Sequence, residues 1–555
     1  MSCKVECKIR YNHVGYGVKF PKRFFVAVPA VGESACGSNM RDYAGARFVV
    51  VGESGALAFE GTLAKRGFCD YTREMVYEGD FSNVAAPGKY KIKVFLGSDE
   101  GTLCLASHEF SVSDEWFSRQ LMANIKSFYF QRSGVALPVE KAGKWARPAA
   151  HLDDCIAFHA IMNREGTWNA HGGWYDAGDY GKYIVNGGVS VGTLLLACEM
   201  CPPEPTLLEE IRFELDFFLR MQDADGGVFF KVTPGHWDGF MMPVDSDVMQ
   251  KRFIMGKSTS STLNFAGALA QAHRVFQKLD PDYAARCLAA SRRAYEWAVQ
   301  NPDADWPHNT EGSGGYGDEH VEDEFFWARA MLYRESRDPA LRAQLPGDML
   351  LNPVQPCLSW RDTHNFGWMA LALLDAPSGA DAALQKNART ELERISAEIV
   401  NLHEADAYGL SIRKFVWGSN GEIANHALTL LVTYSWTRDP KLLNTAMELV
   451  HFVYGRNPVD TSFVTGSAWS SPMHPHHRIC HSDGVEEPIP GLLVGGLNND
   501  RQDLHRMAHY SSDLPGFAYT DERCSFASNE TAINWNAPLT AALALIRYYS
   551  LGQNT

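Results

Sequence analysis

Three segments of this 555-residue chain carry the residue types that acid–base chemistry requires. The first reads Gly172-Gly173-Trp174-Tyr175-Asp176-Ala177-Gly178-Asp179-Tyr180-Gly181-Lys182-Tyr183, two carboxylates three residues apart in a glycine-rich stretch ahead of a helix. Neighbouring carboxylates raise the proton affinity of one of them, which separates an acid from a base. The same spacing suits a helix cap or an Asx-turn, and taken alone that reading is the commoner one. The second segment runs from Asn457-Pro458 to Pro475-His476-His477-Arg478 and offers hydrogen-bond donors for hydroxyl groups. Adjacent histidines in an extended segment point opposite ways, so they do not read as a pair on one metal. The third holds Tyr519-Thr520-Asp521, Phe526 and Ser528-Asn529-Glu530-Thr531-Ala532-Ile533-Asn534-Trp535-Asn536-Ala537-Pro538. Glu530 precedes a helix announced by Pro538 and its Ala- and Leu-rich continuation. A glutamate there either complements the helix dipole or serves as an acid.

Composition narrows the substrate for such chemistry. The net charge of −15, from 51 basic and 66 acidic residues, argues against a nucleic-acid backbone and is compatible with a neutral polysaccharide. Aromatic residues make up 12% of the chain, 14 of them Trp, and flat rings suit pyranose faces as well as helical cores. No run of about 18 apolar residues is present, so no membrane partner is expected. The N-terminus MSCKVECKIR lacks the apolar core of a signal peptide, which predicts a cytoplasmic chain, or a secreted one whose leader has been removed. The cysteines are scattered without a disulfide framework. Cys198-Glu-Met-Cys201 stands at the end of a helical pattern, just before Pro202-Pro203, and no second pair accompanies it.

Two kinds of element must position these segments. Residues 1–112 read as short strands, among them Arg23–Val28, Ala46–Val51, Met75–Tyr77 and Tyr90–Val94, which predicts a small β-sandwich. Beyond Asp114 the period becomes helical, as in Leu208, Ile211, Leu215, Phe218 and Leu219. Helices are predicted to start near 116, 153, 186, 207, 261, 283, 322, 364, 382, 422, 440 and 536, enough for a double ring of six pairs over 113–555. Long irregular stretches at 163–185, 223–258, 303–321, 405–421 and 457–535 interrupt them, and loops of that length are usually functional.

Together the segments resemble glycoside hydrolase family 9, the inverting cellulases with an (α/α)6 barrel, in the subgroup with an N-terminal immunoglobulin-like domain. The C-terminal signature is matched by Tyr519, Asp521, Phe526, Glu530, Ala532, Asn536 and Ala537, the His-x-Arg signature by His476 and Arg478, and the Asp-Ala-Gly-Asp loop by 176–179. Weaker echoes run through Lys257-Ser258-Thr259, Gly314–Asp318, Asp323–Ala328 and Trp417–Asn420. The resemblance implies a mainly α fold and inverting hydrolysis of β-1,4-glucan, in which a base and an acid stand about 6.5–9.5 Å apart with water between. Asp179 would be the base, Asp176 would share the water or orient Asp179, and Glu530 would be the general acid. Asp521 would tune Glu530 or bind sugar, and His476 and Arg478 would hold the sugar near the cleavage point. Tyr316, Trp360, Trp417 and Trp535 are candidates for stacking walls, or equally for core.

No cofactor is implied for the chemistry. A structural zinc of some relatives would need Cys at 133 and 150 and His at 151 and 175. Here Ser133, Ala150 and Tyr175 leave only His151, so no zinc is expected. Cys155 and His159 lie near His151 and are the residues from which a rebuilt site would be made. Asp323, Glu324 and Asp362 resemble a calcium site. Two alternatives stay open: an exo-acting relative that releases another β-linked sugar such as glucosamine, and an inactive carbohydrate-binding scaffold.

Overall fold

The structure, a computed structural model, describes residues 7–29, 42–97, 103–304, 306–308, 310–318, 320–350, 358–375 and 378–552. Among the described residues, ten strands form the N-terminal sandwich: β1 Lys8–Arg10, β2 Gly15–Tyr16, β3 Arg23–Pro29, β4 Arg47–Gly52, β5 Leu57–Thr62, β6 Ala64–Cys69, β7 Glu74–Asp80, β8 Gly88–Leu96, β9 Leu103–Ala106 and β10 Phe110–Val112. One sheet has the order β1-β3-β7-β6, the other β2-β10-β8-β4-β5 with β9 also paired to β8. The alternation along β8 shows why: Tyr90, Ile92, Val94 and Leu96 face the core, while Lys89, Lys91 and Lys93 face water. Phe24, Val26, Phe48 and Tyr77 complete that core.

Twelve longer helices follow among the described residues: α1 Glu115–Phe130, α2 Ile184–Met200, α3 Pro205–Met221, α4 Thr259–Phe276, α5 Pro281–Gln300, α6 Glu322–Ser336, α7 Pro339–Asp348, α8 His364–Ala372, α9 Ala380–Ala405, α10 Ser419–Thr437, α11 Pro440–Val453 and α12 Ile533–Ser550. The even-numbered helices are buried on nearly every side. Their odd-numbered partners α3, α5, α7 and α9 bury a narrower face, the pattern of an inner ring inside an outer one, whereas α11 is buried throughout 445–453. Three outer helices begin with the same device: Asp280, Asp338 and Asp439 cap α5, α7 and α11, and each is followed by a proline that fits the first turn. Inner helices approach closely at Trp327, where a β-carbon on Gly192 or Gly267 would come within 2.7 Å of the indole.

The predicted helix near 153 is not formed. Residues 151–170 are irregular apart from short strands β11 Ile156–Phe158 and β12 Thr167–Trp168 and a turn of 3-10 helix. Asp153 takes φ 51°, and its buried carboxylate bridges Lys182 Nζ at 2.7 Å and Arg252 Nε at 2.9 Å. That pair of ion bonds outweighs any local helical tendency. The helix at 339–348 takes its place in the count of twelve, unanticipated by the sequence pattern. Strands β11 and β12 join β13 Lys182–Tyr183, β14 Phe229–Pro234 and β15 Arg252–Lys257 in a sheet ordered β12-β11-β15-β14-β13. β13 leads directly into α2, and β15 into α4. Every long connection precedes an inner helix, so the loops gather at the positive ends of the inner helix dipoles.

The sandwich is fastened to the barrel by polar contacts. Tyr408 OH donates to Glu74 Oε2 at 2.6 Å, Asn12 Nδ2 meets His451 Nδ1 at 2.7 Å, and the His13 amide donates to the Tyr454 carbonyl at 2.9 Å. No described helix is long and apolar enough to cross a membrane.

Candidate active site

The turn carrying Asp176 and Asp179 is tied at three points. The Asp176 amide donates to the Gly181 carbonyl at 2.9 Å, and the Ile533 amide, at the start of α12, donates to the Asp176 carbonyl at 2.9 Å. Arg478 supplies the third tie: its amide and Nη1 both donate to the Gly178 carbonyl, at 2.9 and 3.0 Å, while Nε and Nη2 reach the Asp238 carbonyl. The guanidinium is buried and committed to holding these loops together.

Both aspartates are buried. Asp176 Oδ1 accepts from Asn186 Nδ2 at 2.6 Å, and its Oδ2 accepts from the Tyr316 hydroxyl. Burial, reinforced by the charge of Asp179, pushes the Asp176 carboxyl up to about 7, against the pull of those two donors. Asp179 Oδ2 accepts from the Gly181 amide at 3.2 Å.

Glu530 reaches the same space from the opposite side. His476 and Glu530 pair as neighbouring extended segments, and the Gly495 amide donates to the Glu530 carbonyl at 2.8 Å. Burial first, then the charges of Asp179 and Asp176, hold the Glu530 carboxyl well above the usual carboxylate range; Arg478 and the Gly178 amide oppose this. The three carboxyl groups that the sequence singled out are thus brought into one electrostatically connected pocket.

His476 is half-buried, with Nδ1 at 2.6 Å from the Arg523 carbonyl, and burial lowers it to about 4, so it is neutral at neutral pH. His477 turns the other way and meets Gln131 Oε1 at 3.0 Å. Asp521 does not touch Glu530 by hydrogen bond. Its carboxylate accepts from the Met473 and His474 amides at 2.8 and 2.9 Å and from Asn529 Nδ2 at 3.0 Å, bracing the segment that leads to His476.

The four candidate aromatics fall into two groups. Tyr316 binds Asp176, and Trp360 packs edge-on against it with centroids 5.1 Å apart. Trp535 lies against Gly418, Gly421 and Gly495, and the exposed Trp417 rests on Phe526 with centroids 5.2 Å apart. Several residues of the site escaped the sequence reading. Asn186 is the one amide side chain in a mostly apolar buried helix, and Lys231 is a lone charge within Phe229-Phe230-Lys231-Val232; both were visible signals. Exposed Trp237, beside Arg478, and Phe240, 5.3 Å from the His476 ring, gave no sign in sequence.

At the former zinc positions, His151 Nδ1 meets Tyr175 OH at 2.8 Å, and Ser133 Oγ donates to the His151 carbonyl at 3.3 Å. Cys155 is exposed and bonded to Thr167, and His159 caps a turn at Ile161. Of the three expected calcium ligands, Asp323 and Asp362 come together, joined by His364, with candidate ligand atoms within 4.8 Å of one another. Glu324 lies outside that group; its carboxyl hydrogen-bonds Asp323 and meets Asn264 Nδ2 at 3.4 Å. The nine described cysteines are free, and burial pushes the Cys198 thiol well above its ordinary range, away from the nucleophilic thiolate.

Residues 117–543 match the family model described as glycosyl hydrolase family 9, and residues 4–96 match the cellulase N-terminal ig-like domain. The chain belongs to glycosyl hydrolase family 9. Within family 9 it is 35% identical to a xyloglucan-specific endo-beta-1,4-glucanase of Bacteroides ovatus, over 96% of this chain and 92% of that protein. Its fold is similar to that of a single mutant of a thermostable endoglucanase from Alicyclobacillus acidocaldarius, with TM-score 0.85 and 28% identity over 97% of this chain and 99% of the other. A zinc-binding triple mutant of the family 9 endoglucanase J30 aligns with TM-score 0.84 and 31% identity, over 96% and 99% of the two chains. This family 9 chain is a glycoside hydrolase, an (α/α)6 barrel with an immunoglobulin-like domain in front.

Proposed function

We propose that the protein hydrolyses β-1,4-linked glucan with inversion at the anomeric carbon, and that Asp179, Asp176 and Glu530 carry the reaction. The observation that bears most weight is the burial of the Glu530 carboxyl beside the charges of Asp179 and Asp176, which shifts it well above the usual carboxylate range, toward the protonated form. A general acid needs that proton to give to the leaving glycosidic oxygen as the bond breaks. Asp179 takes the proton from water attacking the opposite face of the sugar. Asp176, whose oxygens are held by Asn186 and Tyr316, orients that water and keeps the turn in register. His476 and the aromatic pairs Tyr316–Trp360 and Trp417–Phe526 bound the sugar path, while Arg478 acts through the loops it joins.

The relatives named above are described as glucanases, so release of glucosamine is not favoured, and a mere binding scaffold would need neither acid nor base. The Bacteroides ovatus relative makes xyloglucan a substrate to test beside carboxymethylcellulose and cello-oligosaccharides. The decisive measurement is the anomer of the fresh product by NMR. Initial α-product from a β-1,4-glucan supports the reading; β-product, or no hydrolysis of any of these glucans, overturns it.

The chemistry proposed runs on carboxylates and needs no cofactor. A structural divalent cation is proposed at Asp323, Asp362 and His364, where Asp323 has no lysine or arginine ion pair among the described residues and His364 Nε2 is buried without a hydrogen-bond partner. Calcium suits the carboxylates, and the imidazole adds a ligand that borderline ions prefer. Melting temperature with and without added calcium or zinc, after chelation, tests it: no rise with either ion removes the site.

A further inference from the structure

We propose that Lys231 is a positioning residue for the hydrolytic centre: through Ser313 and Gly314 it clamps the 311–318 loop that presents Tyr316 to Asp176. Lys231 sits in mid-strand on β14, paired with Tyr183 on β13, and is fully buried. Its Nζ donates to the Gly314 carbonyl at 2.9 Å and lies 3.4 Å from Ser313 Oγ. Ser313, itself buried, also meets Tyr183 OH and Thr233 Oγ1, each at 2.7 Å. The neighbouring Gly312 takes φ +74°, and a β-carbon there would stand 2.3 Å from the Pro234 carbonyl oxygen, so the loop is pressed onto the end of the same strand. Two residues beyond Gly314, the Tyr316 hydroxyl donates to Asp176, with its ring edge-on to Tyr183 at 4.9 Å. One chain of contacts thus runs from the strand to the catalytic turn.

The choice of lysine is costly unless its charge is used. Taking an ammonium out of water costs several kcal/mol, and an apolar residue would fill the strand more cheaply. What the charge meets is the hydrolytic centre. Asp179 and then Glu311 favour the protonated lysine, while burial draws it down to about 7. The Tyr183 ring lies 5.5 Å below the ammonium, and on its own strand Thr233 faces the same serine. The ammonium thus stands among the charges of the hydrolytic centre, where Asp179 is the proposed base.

The test rests on Asp179 being that base and compares Lys231→Met, Lys231→Arg and Ser313→Ala with the parent on cellopentaose. Loss of the cation in Lys231→Met is expected to lower kcat at least tenfold with KM within about threefold, because transition-state geometry rather than binding is lost. Lys231→Arg restores kcat to within about threefold of the parent, and Ser313→Ala loses part of kcat with an unchanged melting temperature. If Lys231→Met fails to fold, Ser313→Ala decides, and parental kcat there overturns the proposal. It is equally overturned if Lys231→Met folds and keeps kcat within about twofold of the parent. A parent that cleaves no β-1,4-glucan would instead sink the functional reading on which the assay stands.

Discussion

Gly178 lies so close to the main chain of His476 that a β-carbon on it would stand 2.0 Å from the His476 carbonyl oxygen. No side chain fits in that gap, and through it the turn bearing Asp176 and Asp179 meets the segment that pairs with Glu530. The separation of base and acid is therefore set by a glycine between them. Gly178→Ala is expected to push the two loops apart and lower kcat about 100-fold or more, since displacements near 1 Å have that cost. Circular dichroism showing a folded protein beside parental kcat would refute this role.

Replacing either member of the catalytic pair should leave distinct signatures. Glu530→Gln is expected to lose about 10²–10⁴-fold in kcat on cello-oligosaccharides. On an aryl cellobioside whose phenol leaves without protonation, the same variant should lose far less. Asp179→Asn should be impaired on both substrates, because water still has to be activated. Equal losses on the two substrates in Glu530→Gln would reassign the acid.

Stability at low pH should depend on Glu448, which is buried against Arg456 beneath the sandwich residue Phe25. The charges of Arg456 and nearby histidines outweigh burial and lower its carboxyl to about 2. The pair therefore contributes fully above the ordinary carboxylate value of 4.5 and its contribution is lost as pH falls toward 2. Glu448→Gln leaves a buried guanidinium unpaired and should cost about 3–5 kcal/mol at neutral pH, with a smaller difference from the parent under acid. A denaturant melt at pH 7 that finds the variant as stable as the parent would remove this account.

The positions 133, 150, 151 and 175 offer a constructive test. Ser133, His151 and Tyr175 are already in mutual contact, and Ala150 is buried beside His151. The triple variant Ser133→Cys, Ala150→Cys, Tyr175→His should bind one zinc per chain and melt at a higher temperature with the metal than after chelation. Metal analysis after dialysis should find one zinc more per chain in the variant than in the parent, since both share the Asp323, Asp362 and His364 group; equal zinc in the two would remove this account.

Much of the site is legible in the linear chain because its parts are local. The Asp-Ala-Gly-Asp turn, the His-x-Arg pair and the Glu530 segment each need only a short stretch with glycine, proline or a helix start to take shape. Helix starts such as Asp280-Pro281 and Asp439-Pro440 are local in the same sense, since cap and first turn are adjacent residues. The β8 alternation is likewise written in consecutive residues. What lay beyond local reading was every decision made by burial across the fold. Asp153 looks like a helix start, yet Lys182 and Arg252 claim it from 29 and 99 residues away. Arg478 looks like a sugar ligand, yet three of its five guanidinium N–H groups go to the Gly178 and Asp238 carbonyls. Tyr316 looks like a stacking ring, yet its hydroxyl holds Asp176, 140 residues distant. The residue types and their local spacing determined which groups are present to do chemistry, because helix caps, turns and strand alternation depend on neighbours along the chain. Only the tertiary structure decided which of those groups keeps a proton and which is spent on scaffolding, because desolvation and charge act through space.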